Sequence, residues 1–155
     1  MSDTAKFTTA AAARDFITGG NATVTLVSKA SGTRFTFKVR ASDEGDVFFV
    51  SLLGGRDNEA DYRYLGRIDN QGRFWAGRRT PKPGDVGKDA PSSKAFDWAW
   101  GYLRNDVLPV KLEIWHEGRC ARCNRKLTVP SSIESGFGPE CAGKIGVAQM
   151  RADWA

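Results

Sequence analysis

The chain has 155 residues, 41% of them hydrophobic, with nine phenylalanines and five tryptophans, which is enough for one folded core and too little for several. Its 23 lysines and arginines exceed 18 acids and give a sequence pI near 9.3, so acidic partners are favoured over basic ones. No apolar run approaches the length of a membrane span, which argues against a helical membrane protein and leads us to expect a soluble, cytoplasmic one.

Residues 9–17 (TAAAARDFI) predict a short helix, because alanine is the strongest helix former and Thr8 or Thr9 can cap it. Gly19-Gly20 ends it. Residues 23–28 and 33–40 predict a β-hairpin across Ala30-Ser31-Gly32. The second strand alternates cleanly: Phe35, Phe37 and Val39 point to the core, while Arg34, Lys38 and Arg40 line the other face with Thr36. Three cations on one face, at about 7 Å for each two residues, match the step of an extended nucleotide strand, and equally form the solvated polar face of any half-buried strand. Residues 47–53 (VFFVSLL) form a continuous apolar run, expected to be the central strand.

Residues 54–61 are expected to form a loop, and 62–68 a fourth strand with Tyr62, Tyr64 and Ile68 on one face and Arg63 and Arg67 on the other. Asn70-Gln71-Gly72 turns into a short fifth strand over 73–76. Residues 77–91 are rich in proline, glycine and base, predicting a mobile surface loop whose Arg78, Arg79, Lys82 and Lys88 either contact phosphates or serve solubility alone. A helix from Ser92 or Ser93 to about Asn105 follows, with Phe96, Trp100 and Leu103 in one stripe, Ala99 beside them, and Trp98 and Tyr102 as a second aromatic pair. A last strand over 110–115 delivers His116, and 141–154 predicts a terminal helix packing through Ile145, Met150 and Trp154.

The only histidine and all three cysteines fall within 116–141, spaced His-x3-Cys-x2-Cys-x17-Cys. Zinc takes four nitrogen or sulfur ligands in a closed tetrahedron, so His116, Cys120, Cys123 and Cys141 are expected to hold one structural Zn2+. Glu117, Glu140 or water could replace His116 as fourth ligand. A redox Cys-x2-Cys pair would need a thioredoxin-like βαβ pattern, which is absent, and a disulfide would strand one of three cysteines. Four protein ligands leave no open position for catalysis. Arg119, Arg122, Arg125 and Lys126 make this knuckle basic, with no acid among residues 119–126.

Cys120, Cys123, Arg125, Leu127, Thr128, Ser132, Gly136, Gly138, Pro139 and Cys141 also carry a resemblance. Their pattern is similar to a small zinc-binding domain family of unknown function, found in phage and bacterial proteins and sometimes joined to helicase-like or other DNA-handling domains. Asn124 stands where that family usually has glycine, and asparagine tolerates the left-handed backbone glycine would supply. The resemblance implies a zinc module and a DNA-handling context for this segment, and says little about residues 1–110.

The expected fold is α+β: an antiparallel sheet of about five or six strands, one long packed helix, and a C-terminal zinc-knuckle subdomain. Residues 1–110 would form the main domain and 111–155 the zinc subdomain packed on it. No nucleophile–base pair or carboxylate cluster accompanies the single histidine, so no enzyme is expected. The leading expectation is a non-enzymatic, phage-type accessory protein. It would bind nucleic acid through Arg119, Arg122, Arg125 and Lys126 on the knuckle, Arg34, Lys38 and Arg40 on the sheet, and Arg78 and Arg79 on the loop. The alternatives are a protein–protein adaptor or anti-defence inhibitor of a host protein, and a small-nucleotide binder using Arg63, Arg67 and residues 54–61. DNA or RNA, the identity of a host partner and the oligomeric state are not encoded in any motif.

Overall fold

In a computed structural model, which describes residues 6–53, 62–78, 80 and 82–116, Thr9 caps the first helix. Its Oγ1 accepts from the Ala12 amide at 3.1 Å and satisfies one of the amides a helix start leaves open. The elements in chain order are α1 (Ala10–Ile17), β1 (Asn21–Ser28), β2 (Arg34–Ala41), β3 (Phe48–Leu53), β4 (Tyr62–Ile68), β5 (Phe74–Ala76), α2 (Pro91–Arg104) and β6 (Leu112–His116). The strands make one antiparallel sheet in the order β5-β4-β3-β2-β1-β6. Strands β1 to β5 are a meander of neighbours. The chain then returns through α2 and lays β6 on the outer edge of β1, with Leu26 opposite Ile114. The architecture is α+β, as the periodicities predict.

Both helices pack on one face of this sheet. Phe16 and Ile17 of α1, and Phe96, Ala99, Trp100 and Leu103 of α2, join Val24, Leu26, Phe37, Val39, Val50, Leu65, Ile68 and Ile114 in a single buried cluster. The Phe96–Trp100–Leu103 stripe predicted from helical spacing is therefore the buried face of α2. Two side-chain-to-backbone hydrogen bonds tie the helices down. The Trp100 indole N–H donates to the Gly72 carbonyl at 2.8 Å, and the Arg14 guanidinium donates to the Leu103 carbonyl at 2.8 Å.

The structure corrects the sequence in four places. Helix α2 begins at Pro91, where the missing N–H costs nothing, and Ala90 stands at the cap without a side-chain bond. Ser92 and Ser93 are buried inside the first turn instead, and the Ser93 hydroxyl donates to the Gly87 carbonyl at 2.8 Å. The apolar run of β3 is central, but only one face is covered: Val50 is buried while Phe49 is exposed. Residues 77–91 are tied down where they are described. The Gly77 amide donates to the Leu65 carbonyl at 2.7 Å, and the Val86 amide donates to the Tyr64 carbonyl at 2.8 Å.

The fourth correction concerns β4. Its register against β3 shifts between Val50 and Ser51, so Gly66 opposes Val50 and Tyr64 opposes Ser51, with Leu65 as the extra residue. The bulge reverses parity along the strand. Leu65 and Ile68 are buried against the helices, whereas Tyr62, Tyr64 and Arg67 share the opposite face. Simple alternation puts Ile68 with the tyrosines and Arg67 against them.

Gly66 is required here for closeness of approach. A β-carbon at this position would run into the Trp75 carbonyl oxygen and lie 2.8 Å from Cε1 of the Phe74 ring. Gly66→Ala is expected to cost about 1–3 kcal/mol as an overpacked site. Urea unfolding checks it; a midpoint equal to wild type would mean that β5 does not sit against the bulge.

Candidate functional site

Strands β1 to β5 carry Arg34, Lys38, Arg40, Arg63 and Arg67 and not one carboxylate. Four of those cations lie on the face away from the helices: Arg34, Lys38 and Arg40 by the alternation of β2, and Arg67 by the bulge of β4. Arg63 opposes Leu52 and falls on the other side. The three β2 cations named from sequence therefore do share one open face. Arg67, grouped with Arg63 by alternation, joins them.

The register sets the neighbours. Trp75 pairs with Arg67, Arg67 with Phe49, and Phe49 with Arg40, giving one row across β5, β4, β3 and β2 in which ring and cation alternate. A second row places Tyr64 opposite Ser51 and Ser51 opposite Lys38. Phe49 and Tyr64 bridge the rows with ring centroids 6.4 Å apart. The Lys38 ammonium lies 5.4 Å from the Tyr62 ring centroid, and the Arg78 guanidinium lies 4.0 Å from that of Tyr64, both within cation–π reach.

Two rings in the first row stay open to solvent, Phe49 at 41% and Trp75 at 48% exposure. Trp75 is not free to turn. Its indole N–H donates to Asp69 Oδ2 at 2.9 Å, and Asp69 Oδ1 accepts from the Gln71 and Arg73 amides, both at 2.9 Å. The indole N–H and these turn amides hold the Asp69 carboxyl below the usual carboxylate range. Gly72 completes that turn in the left-handed conformation, φ 81°.

Of the loop cations, Arg78 is engaged: its Nε donates to Asp85 Oδ2 at 2.9 Å while the guanidinium covers Tyr64. The Lys82 amide donates to the same Asp85 oxygen at 3.0 Å, and this bond leads the causes that lower the Asp85 carboxyl. Arg79 lies outside the described residues. At the far edge of the face, Trp115 of β6 is flanked by Lys6, whose ammonium is 5.6 Å from its ring and 3.5 Å from Glu113.

A different aromatic pair stands on α2. Trp98 and Tyr102 are 47% and 43% exposed and meet edge to face at 5.1 Å, as a boundary pair rather than a core one. Trp98 also lines an apolar groove of about 410 Å³ with Leu26, Phe35, Ala95 and Leu112.

Of the expected zinc ligands, His116 is described, while Cys120, Cys123 and Cys141 lie outside the described residues, as do Arg119, Arg122, Arg125 and Lys126. His116 is the last residue of β6, opposite Val24 of β1, and 1% exposed. Its ring centroid is 5.4 Å from that of Phe7 and 5.3 Å from that of Phe16, on the helix side of the sheet. The first candidate ligand is thus placed at the margin of the aromatic core, four residues before Cys120 in the sequence.

Sequence reasoning missed Phe49, Tyr64 and Trp75 as site residues, and named Arg67 only with Arg63, for a small nucleotide. The available signal was Gly66, since a lone glycine inside a strand pattern marks a bulge or a close backbone approach. Among the described residues no helix is long and apolar enough to cross a membrane. No curated protein and no solved structure matches the chain. Residues 114–146, which run from the end of β6 through all three cysteines, match the model of a family of unknown function (DUF6011).

Proposed function

We propose that this protein binds nucleic acid without catalysing a reaction on it, through the open face of its sheet and a C-terminal zinc knuckle. The observation that carries the proposal is the charge pattern of the sheet: five cations and no carboxylate on strands β1 to β5, with four of the cations on the one face that the helices leave uncovered, against a single carboxylate, Glu113, on the edge strand β6. Cations spaced along a surface bind phosphates by displacing condensed counterions, and they need no general acid or base. Three thiols and an imidazole suit zinc, so Cys120, Cys123, Cys141 and His116 would hold one ion. That ion would cross-link a short segment. Arg119, Arg122, Arg125 and Lys126 exceed what the net charge of a Cys3His zinc centre, about −1, requires, which leaves cations over for phosphates. The resemblance of this segment to zinc domains of phage and bacterial DNA-handling proteins supports an accessory role of phage type in the host cytoplasm.

Fluorescence anisotropy with labelled DNA and RNA tests the proposal. The wild type is expected to lose affinity steeply with salt. Arg40→Ala with Arg67→Ala is expected to leave folding intact and to lower the magnitude of the log K against log salt slope by up to about 2. Wild-type protein without salt-dependent binding to any nucleic acid near physiological salt overturns the proposal.

A second function, as an adaptor or inhibitor of a host protein, rests on the exposed Trp98–Tyr102 pair beside the apolar groove. Capture of a protein from nuclease-treated host lysate, abolished by Trp98→Ala, would support it.

A further inference from the structure

We infer that the open face takes a single-stranded nucleic acid, whose bases stack on Trp75 and Phe49 while Arg67 and Arg40 hold its phosphates. The inference rests on the nucleic-acid proposal above and narrows it to one class of ligand.

Geometry separates single strand from duplex. The row Trp75–Arg67–Phe49–Arg40 crosses four adjacent strands. At about 4.8 Å per strand it is about 14 Å long and lies on a sheet wider still. The duplex major groove, about 12 Å wide, admits a helix or a two-stranded ribbon, not the face of a six-stranded sheet. A duplex resting on this face would touch it with phosphates alone, because its bases cover one another. The rings would then contribute nothing. An unpaired strand presents free base faces, and every base has a π surface to stack on an aromatic ring.

The rings are built for that contact. Trp75 and Phe49 are large apolar side chains left about half exposed, in a row whose other two members are the cations Arg67 and Arg40. Trp75 and Phe49 lie two strands apart, about 10 Å, with Arg67 between them. The Asp69 carboxylate grips the indole at its edge and leaves the ring face uncovered. Asp69 is itself fixed by two amides of the turn, so Trp75 is a positioned platform with little rotamer freedom to lose on binding. The cations beside the rings supply the attraction that selects a polyanion over a neutral apolar partner.

The full-length protein is to be titrated into labelled 12-mers of dT, dA and rU and into a 12-base-pair duplex, at several salt concentrations. The single strands are expected to bind more tightly than the duplex, with the dT and rU arms separating DNA from RNA. Trp75→Ala is expected to weaken single-strand binding roughly 5- to 150-fold at an unchanged salt slope, because stacking releases no counterions. Trp75→Phe should recover most of that loss, and Phe49→Leu should weaken binding while keeping the strand apolar. Unchanged thermal midpoints of the variants exclude misfolding as the cause. Tighter binding of the duplex, or Trp75→Ala with wild-type affinity for every single strand, overturns the inference and leaves the broader proposal standing. No binding of any nucleic acid overturns both.

Discussion

Phe37→Ala is expected to destabilise the protein by roughly 3–5 kcal/mol. Phe37 is fully buried in the middle of the sheet, opposite Val24 of β1 and Leu52 of β3. Its ring meets Phe96 of α2 edge to face at 5.1 Å, and Phe96 in turn lies 4.9 Å from Phe74 and 6.4 Å from Trp100. One side chain therefore joins the β2 strand to the long helix and, through it, to the short edge strand. Truncation removes the transfer free energy of the ring and leaves a cavity that the sheet, hydrogen-bonded on both sides of β2, cannot close. Lys38→Ala is the control on the opposite face, where its half-buried side chain gives up its ammonium contact with the Tyr62 ring, about 0.5–1 kcal/mol. Urea unfolding with unchanged m-values reads both. Equal costs would mean that β2 is out of register by one residue, since a single slip exchanges the two faces.

The same strand shows what a sequence can carry by itself. Alternation in β2 places Phe37 and Val39 inside and Arg34, Lys38 and Arg40 outside, because period two is a local property of extended backbone. The Thr9 cap and the stripe of α2 are legible for the same reason. The errors fall where a distant segment decides. Whether Ser92 faces solvent depends on what α2 packs against, and it is buried. The parity of β4 depends on how it pairs with β3, and the Leu65 bulge breaks the pattern that Tyr62 and Tyr64 begin. The loop after β5 reads as free chain until Asp85 is seen gathering Arg78 and the Lys82 amide. The ring-and-cation row draws one residue from each of four strands, so no window of sequence contains it. The cysteines are the reverse case, a proposed ligand set nearly complete within 22 residues, Cys120 to Cys141, and so legible as a candidate before any fold is known.

One zinc per chain is expected by elemental analysis of protein purified without added metal, and its loss should cost more than the truncation of any single core side chain. Forming such a site is worth on the order of 10 kcal/mol in small zinc peptides, so Cys123→Ser or a strong chelator should unfold the segment that the metal holds. Residues 117–140 offer few large apolar side chains, Leu127, Val129, Ile133 and Phe137, too small a set to fold without a staple. The sheet and its helices have their own core and should survive, with far-UV signal and Phe37-dependent stability retained. Trypsin separates the two parts, because Arg119, Arg122, Arg125 and Lys126 sit between and beside the paired cysteines. The metal-loaded protein should resist cleavage there, and the chelated protein or Cys123→Ser should be cut rapidly, leaving an N-terminal fragment that ends just beyond His116. Cys123 carries this test better than His116 does. The imidazole is buried between Phe7 and Phe16, so its removal would damage the core whether or not it binds metal. Zinc contents of zero or two, or equal trypsin sensitivity with and without chelator, would remove the metal from the account of this protein.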